Sequence, residues 1–121
     1  MKLTYHDLWK NPDRIEDYVK AIQANDNNGV KYDNDKPQWS LMPWTALKEV
    51  VDVLTYGAKK YAPDNWKKVP NARQRYIDAG FRHFTAYAGG EKIDSETGMS
   101  HLAHAMCCML FLLAFDKDGT K

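Results

Sequence analysis

Between Trp44 and Tyr61 apolar residues return every three or four positions. Leu47, Val50, Val51, Leu54, Ala58 and Tyr61 fall on one stripe, and Glu49, Asp52, Tyr56, Lys59 and Lys60 on the opposite face. That spacing predicts an amphipathic helix over 44–61. Pro43 suits its start, and Ala62-Pro63-Asp64-Asn65-Trp66 breaks it. Gly57 costs about 1 kcal/mol against alanine inside a helix, which points to close approach of another helix or a ligand there. A second helix is predicted over about 72–88, with Ile77, Phe81, Phe84 and Ala88 as its core stripe. Arg75, Asp78 and Arg82 share a different face, His83 points elsewhere near Tyr76 and Tyr87, and Gly89-Gly90 ends the helix. Asp94 or Ser95 can cap a third helix. Beyond His104 it runs through 105–115 apolar nearly all round, so it is expected to be the central, most buried one. Thr97, His101, His104 and Cys108 lie roughly along one side of it.

The N-terminal part is less regular. Pro12 followed by Ile15, Tyr18, Val19 and Ile22 predicts a short helix within residues 1–24, ended by the Asn25–Gly29 turn. Residues 30–43 are polar and extended, with two prolines. Lys31, Lys36 and Trp39 there suit phosphate and base contact; the plainer alternative is a solvated linker with Trp39 and Leu41 tucked into the core. No strand pattern competes. The expected fold is all-α: a small bundle of three main helices plus an N-terminal helix, divided into an N-terminal extension (1–28) and a main domain (29–121). Three helices of this size bury little alone, so a homo-oligomer is expected to complete the core.

Composition narrows the classes. Seventeen basic and sixteen acidic residues leave +1, too little field to point to a nucleic-acid partner. Four Trp and seven Tyr are many for 121 residues, and some are expected to line a surface pocket. The two cysteines are neighbours, Cys107 and Cys108. On one helix their side chains point about 100° apart, so they read as reduced core residues of a cytoplasmic protein. The N-terminus lacks an apolar signal region, and 105–115 is too short to span a bilayer, so no membrane association is expected.

Three sets of groups carry candidate chemistry. Glu49 and Asp52, one turn apart, with Asp94 and Glu96, suit Mg²⁺, which takes carboxylates, waters and substrate phosphates. His101 and His104 suit Mn²⁺, Co²⁺ or Zn²⁺, or acid–base work. Lys31, Lys36, Lys59, Lys60, Arg75 and Arg82 suit a polyphosphate. Each has a plainer reading. Glu49 and Asp52 would be a solvated face, Asp94 or Ser95 a cap, and Glu96 a helix-dipole partner; the histidines would be hydrogen-bonded core residues, and Arg75 and Arg82 partners of Asp78 or of acids on a neighbouring helix. There is no phosphate-binding Gly-x-x-x-x-Gly-Lys-Ser/Thr loop, dinucleotide fingerprint, His-Glu-x-x-His pair or Cys-x-x-Cys set. An adjacent His-Asp occurs only at His6-Asp7, which argues against an HD-type phosphohydrolase.

A run of ordered pieces resembles a known family. They are Lys31-Tyr32-Asp33, Lys36-Pro37, Leu41, Pro43, Glu49-Val50, Leu54-Thr55-Tyr56-Gly57-Ala58-Lys59-Lys60-Tyr61 and Asn65-Trp66. Arg82-His83, Gly90-Glu91, Asp94, Glu96, Gly98 and His101-Leu102-Ala103-His104-Ala105 follow. Over about 29–113 the chain resembles the phage and bacterial dATP/dGTP diphosphohydrolases (pyrophosphohydrolases), a group placed with the helical, commonly oligomeric MazG-like pyrophosphatases. The resemblance implies metal-dependent hydrolysis of purine deoxynucleoside triphosphates to monophosphate and pyrophosphate, in the host cytoplasm if the chain is phage-encoded. The MazG-like pattern has Glu-Glu-x-x-Glu and then Glu-x-x-Asp; here only Glu49-x-x-Asp52 matches, and Glu96, His101 and His104 follow instead. On the leading reading Glu49, Asp52 and Glu96 hold the metal (Mg²⁺, or Mn²⁺ or Co²⁺), and His101 or His104 acts as base or further ligand. Lys31, Lys36, Lys60 and Arg82 then bind phosphates, and Asn65 and Trp66 face the base. The competing readings are a non-catalytic binder that sequesters a nucleotide or nucleotide signal, and a helical scaffold.

Overall fold

Helical periodicity carries through into three dimensions. The computed structural model describes residues 10–24, the last four as backbone only, and 29–119. Among these, four α-helices form: α1 (Ile15–Ala24), α2 (Trp44–Lys60), α3 (Ala72–Ala88) and α4 (His101–Asp118). Short 3-10 turns occupy Pro12–Arg14, Trp39–Leu41 and Asn65–Lys68. No strand occurs among the described residues, and the single ladder contact is an isolated bridge between Ile93 and Ser100. The fold class is therefore all-α, as the periodicity predicts. No described helix is long and apolar enough to cross a membrane. The chain groups into two units, Met1–Lys48 and Glu49–Lys121.

In the first unit Pro12 is buried at the start of its turn, and Ile15, Tyr18 and Val19 are half-buried. α1 lies against the Trp39–Leu41 turn. The alternative that tucks Trp39 and Leu41 into the core is not what forms: both are exposed, as are Val30 and Tyr32. The extended segment expected over 30–43 is broken by a turn at 34–36 and by the Trp39–Leu41 3-10 turn, and its aromatic groups stay at the surface. The expected Met1–Asp7 features, the Ile22 side chain and the Asn25–Asn28 turn lie outside the described residues.

In the second unit α3 and α4 pack as an antiparallel pair. Tyr76 meets Phe111 edge-on at 4.9 Å, Gly80 faces Cys108, and His83 lies between His101 and His104. The inner face of α3 is thus Tyr76, Gly80 and His83, at i, i+4 and i+7. This corrects the predicted stripe: Ile77 is half-buried, and Phe81, Phe84 and Ala88 are exposed. The reason is steric. A Cβ at Gly80 would stand 3.4 Å from the Cys108 Cβ, so the helices meet where one carries no side chain. Trp66, on the preceding 3-10 turn, stacks on Phe111 (4.5 Å, 12°) and tilts against Phe115 (5.5 Å). An exposed Arg73–Asp116 pair at 2.7 Å fastens the same end, for at most about 1 kcal/mol.

α4 begins at His101 rather than at 94 or 95. Its cap is Ser100, whose hydroxyl accepts the Ala103 N–H at 3.3 Å. The preceding residues close a turn instead: the Gly98 N–H donates to the Asp94 carbonyl at 2.7 Å, and the Asp94 N–H to the Met99 carbonyl at 2.8 Å. Gly98 has φ +74°, which stops a helix from running through it. His101, Ala103, Ala105, Cys107, Cys108 and Phe115 are buried, whereas Met106, Met109, Leu110 and Leu113 are exposed. All-round burial of this helix is therefore corrected for the single chain. On α2, Val50 and Val53 are buried and Leu54 and Ala58 half-buried, and Tyr61, just past its end, is exposed. The Cys107 thiol donates to the Val50 carbonyl at 3.5 Å, and both cysteines are free thiols. A methyl group placed on Gly57 would meet nothing within 4 Å, so the close approach expected there does not occur.

Candidate functional site

The polar face of α2 has a structural purpose. Glu49, Asp52, Thr55, Tyr56 and Lys59 recur at helical spacing along one wall of a cleft of about 450 Å³. The facing wall is the connection between α3 and α4, through Ile93, Gly98, Met99 and Ser100. The Thr55 hydroxyl is turned back onto the Val51 carbonyl at 2.8 Å, which leaves the two carboxylates, the Tyr56 ring and the Lys59 ammonium as the wall's chemistry. Ile93 and Met99 oppose them with apolar surface. Such a cleft offers both carboxylate and ammonium groups to a ligand that also has an apolar part.

Behind the second wall lies an array of three histidines. His83 Nδ1 and His101 Nδ1 are 2.9 Å apart. The rings of His83 and His104 stack at 4.5 Å and 9°. His104 Nε2 lies 2.8 Å from the Thr97 hydroxyl, and that hydroxyl donates to Asp94 Oδ2 at 3.1 Å. A carboxylate only accepts, so Thr97 must accept from His104, and the His104 proton is on Nε2. At the other end His101 Nε2 stands 3.2 Å from Glu91 Oε1. Burial pushes His83 down from the usual histidine range, helped by the nearby His104. Burial also pushes His104 down, against the opposing pull of Asp94. Burial works against ionisation of Asp94, but the Glu96 N–H and Thr97 hydroxyl outweigh it and hold the carboxyl below its ordinary value.

The structure brings some predicted residues together and separates others. Glu49 and Asp52 share the cleft wall; His101 and His104 share the array behind the opposite wall, and His101 is only 6% exposed. Glu96 is exposed on the connecting turn and does not line the cleft. Lys60 is exposed, with its ammonium over the Tyr61 ring at 5.2 Å; a hydrogen bond to Tyr61 raises its pKa. Asn65 and Trp66 sit on the turn beside the far end of α4. The ten helical steps from His101 to Phe111 span about 15 Å, so the Trp66 ring is remote from the histidines. Arg82 is exposed next to His83, and Lys31 and Lys36 are exposed in the first unit.

Sequence reasoning missed His83, whose partners come from another helix. The signal was its position three residues along from Gly80 and seven from Tyr76. It also missed Ile93, Met99 and Ser100, whose place in the cleft depends on the turn closed by Gly98.

Among the described residues no group of three or more His, Cys, Asp or Glu side chains is placed to hold a metal ion. The Nδ1 atoms of His83 and His101 face each other and His104 Nε2 faces Thr97, while the buried His101 Nε2 makes no hydrogen bond although Glu91 Oε1 lies 3.2 Å away. Glu49 and Asp52 are a different donor set. Two carboxylates one helical turn apart on a cleft wall fit Mg²⁺ held jointly with substrate phosphates and water.

The chain is similar to known proteins over most of its length. A family model described as dATP/dGTP diphosphohydrolase, N-terminal, matches residues 26–121. A dATP/dGTP diphosphohydrolase of Salmonella phage PMBT28 is 34% identical over 84 residues, which make up 69% of this chain and 28% of that protein. The chain thus spans little more than a quarter of the length of this relative. No solved structure matches.

Proposed function

The chain belongs to the dATP/dGTP diphosphohydrolase N-terminal family, and on that footing we propose that its cleft binds purine deoxynucleoside triphosphates for hydrolysis to monophosphate and pyrophosphate. The observation that carries this is the α2 wall, where Glu49, Asp52, Tyr56 and Lys59 face one cavity within the matched region. Glu49 and Asp52 would hold a divalent metal, Mg²⁺ by their oxygen donors, with Mn²⁺ and Co²⁺ as substitutes. When bound, that ion supplies neutralisation of phosphate charge and an acidified water. The chain's own groups do the rest. Lys59 places a positive charge beside the phosphates, and Tyr56, Ile93 and Met99 give the base an apolar seat that excludes water. In the array behind Ser100, Thr97 fixes the His104 proton at Nε2, and His83 and His101 share one proton between their Nδ1 atoms.

A second copy of the chain covering Met106, Met109, Leu110 and Leu113 belongs to the same reading, since a stripe of this size is seldom left to water. Sedimentation of the purified protein tests it; a monomer at all concentrations rejects it. Action on a nucleotide pool would also call for a cytoplasmic location.

Each dNTP and NTP would be incubated with the protein, with and without Mg²⁺, Mn²⁺ or Co²⁺, and the products separated by chromatography. Metal-dependent release of monophosphate and pyrophosphate from dATP or dGTP is the expected result. Nucleotide that is bound but recovered intact under every metal rejects hydrolysis by this chain. It would favour the second reading, a non-catalytic nucleotide binder, which draws support from the lack of a three-ligand metal cage among the described residues.

A further inference from the structure

The contact between His83 Nδ1 and His101 Nδ1 is unusual in what it demands. At 2.9 Å one nitrogen must donate and the other accept. An imidazolium has two N–H groups and no acceptor. The bond therefore exists only while at least one of the two rings is neutral, and double protonation sets two N–H groups against each other.

What this bond fastens is the second wall of the cleft. His101 is the first residue of α4, and its backbone N–H donates to the Lys92 carbonyl at 2.9 Å. Its neighbour Ser100 pairs with Ile93. His101 thus ties the two ends of the 92–101 connection, which carries Ile93, Gly98, Met99 and Ser100 into the cleft. The same His83 ring supports the middle of the connection, because it stacks on His104 and His104 holds Thr97 and Asp94.

We propose that His83 is a positioning residue for the cleft: with His101 it forms a proton-sharing clasp that holds the 92–101 connection in place and releases it when both rings are protonated. The consequence for ligand binding rests on the reading of the cleft as a nucleotide site; the clasp itself does not. The charged and titratable groups around it come from every neighbouring element. Arg82 on α3 and His104 on α4 oppose a further proton, while Glu91, Asp94 and Glu96 on the connection favour one. For His83 burial is the largest effect and favours the neutral ring.

The test is a pH titration of the protein by NMR, following the ring nitrogens of His83 and His101 and the backbone amides of Gly98, Met99 and Ser100. At about pH 8 one Nδ1 carries a proton and the other does not. When acid protonates both rings fully, the three amides shift with the same midpoint as the rings. His83→Asn puts a non-titrating amide near the place of Nδ1, so its wall amides stay fixed over the whole range. His83→Phe keeps the stack on His104 but not the bond, and shows the low-pH amide positions already at pH 8. Wall amides that hold still while the rings titrate overturn the clasp, as does an Asn variant with the wild-type response. Two unprotonated Nδ1 atoms at pH 8 overturn it as well.

Nucleotide binding is measured in parallel. Wild-type affinity for dATP or dGTP weakens about tenfold as the clasped fraction falls to about one tenth, and His83→Asn loses that slope. Wall amides that respond as described in a protein that binds no nucleotide sustain the clasp and reject the nucleotide reading instead.

Discussion

Thr97 accepts its hydrogen bond from His104 and passes one on to Asp94: the hydroxyl oxygen lies 2.8 Å from Nε2 of the imidazole and 3.1 Å from the carboxylate. A single hydroxyl therefore fixes the tautomer of one histidine and the turn before α4. Thr97→Val keeps the shape and removes both bonds, together with the one the hydroxyl accepts from the Met99 N–H at 3.2 Å. It should destabilise the fold by about 1–3 kcal/mol, because His104 Nε2 and a carboxylate oxygen lose their partner in a part-buried site. Chemical denaturation reads the loss, and ring ¹⁵N shifts should show His104 no longer confined to one tautomer.

Stability should fall as the solution is acidified through the histidine range. His83 and His104 are both held below their ordinary value of 6.5, so the unfolded chain binds more protons than the native one as pH drops. Their contribution is present above that value and is lost as pH falls through the folded values. Asp94, also held low, adds a loss of the same sign at more acid pH. Denaturation midpoints at pH 7.5 and pH 5.5 compare the two regimes, with the higher midpoint expected at pH 7.5.

Two glycines should respond in opposite directions. Gly57 sits inside α2 with nothing within 4 Å of the position a methyl would take, so Gly57→Ala should stabilise by about 1 kcal/mol. Gly98 has φ +74° in the turn that forms the cleft wall. Gly98→Ala should destabilise by about 1–2 kcal/mol and weaken nucleotide binding. Thermal melts of the two variants, run side by side, give the comparison.

The α2 carboxylates offer a cleaner separation of function from fold. Glu49 and Asp52 are exposed, so Glu49→Gln and Asp52→Asn should leave stability within about 0.5 kcal/mol. Turnover of dATP or dGTP should fall by about 100-fold or more in each. Full turnover in both variants would remove these carboxylates from the reaction.

How much of this is legible in the sequence follows from range. The α2 helix and its polar face are visible in the spacing of Glu49, Asp52, Tyr56 and Lys59, because helical period is a local property. So is the stop at Gly89-Gly90. The inner face of α3 is not, since Phe81 and Phe84 outweigh Gly80 and His83 on any hydrophobicity scale, while packing is decided by a missing side chain opposite Cys108. The start of α4 is misleading because Asp94 and Ser95 are good caps; Gly98 and Ser100 move the boundary. The site divides the same way. One wall is a helix face and can be read, whereas the pairing of His83 with a ring 18 residues on has no local trace.

Cys107 offers a last use of the architecture. Burial, then the neighbouring Cys108, pushes its thiol up to about 12, and its hydrogen goes to the Val50 carbonyl of α2. A thiol-reactive dye needs a thiolate that it can reach. In the closed protein it finds neither, so labelling becomes a clock for the opening of the interior, with the natural sequence as its own probe.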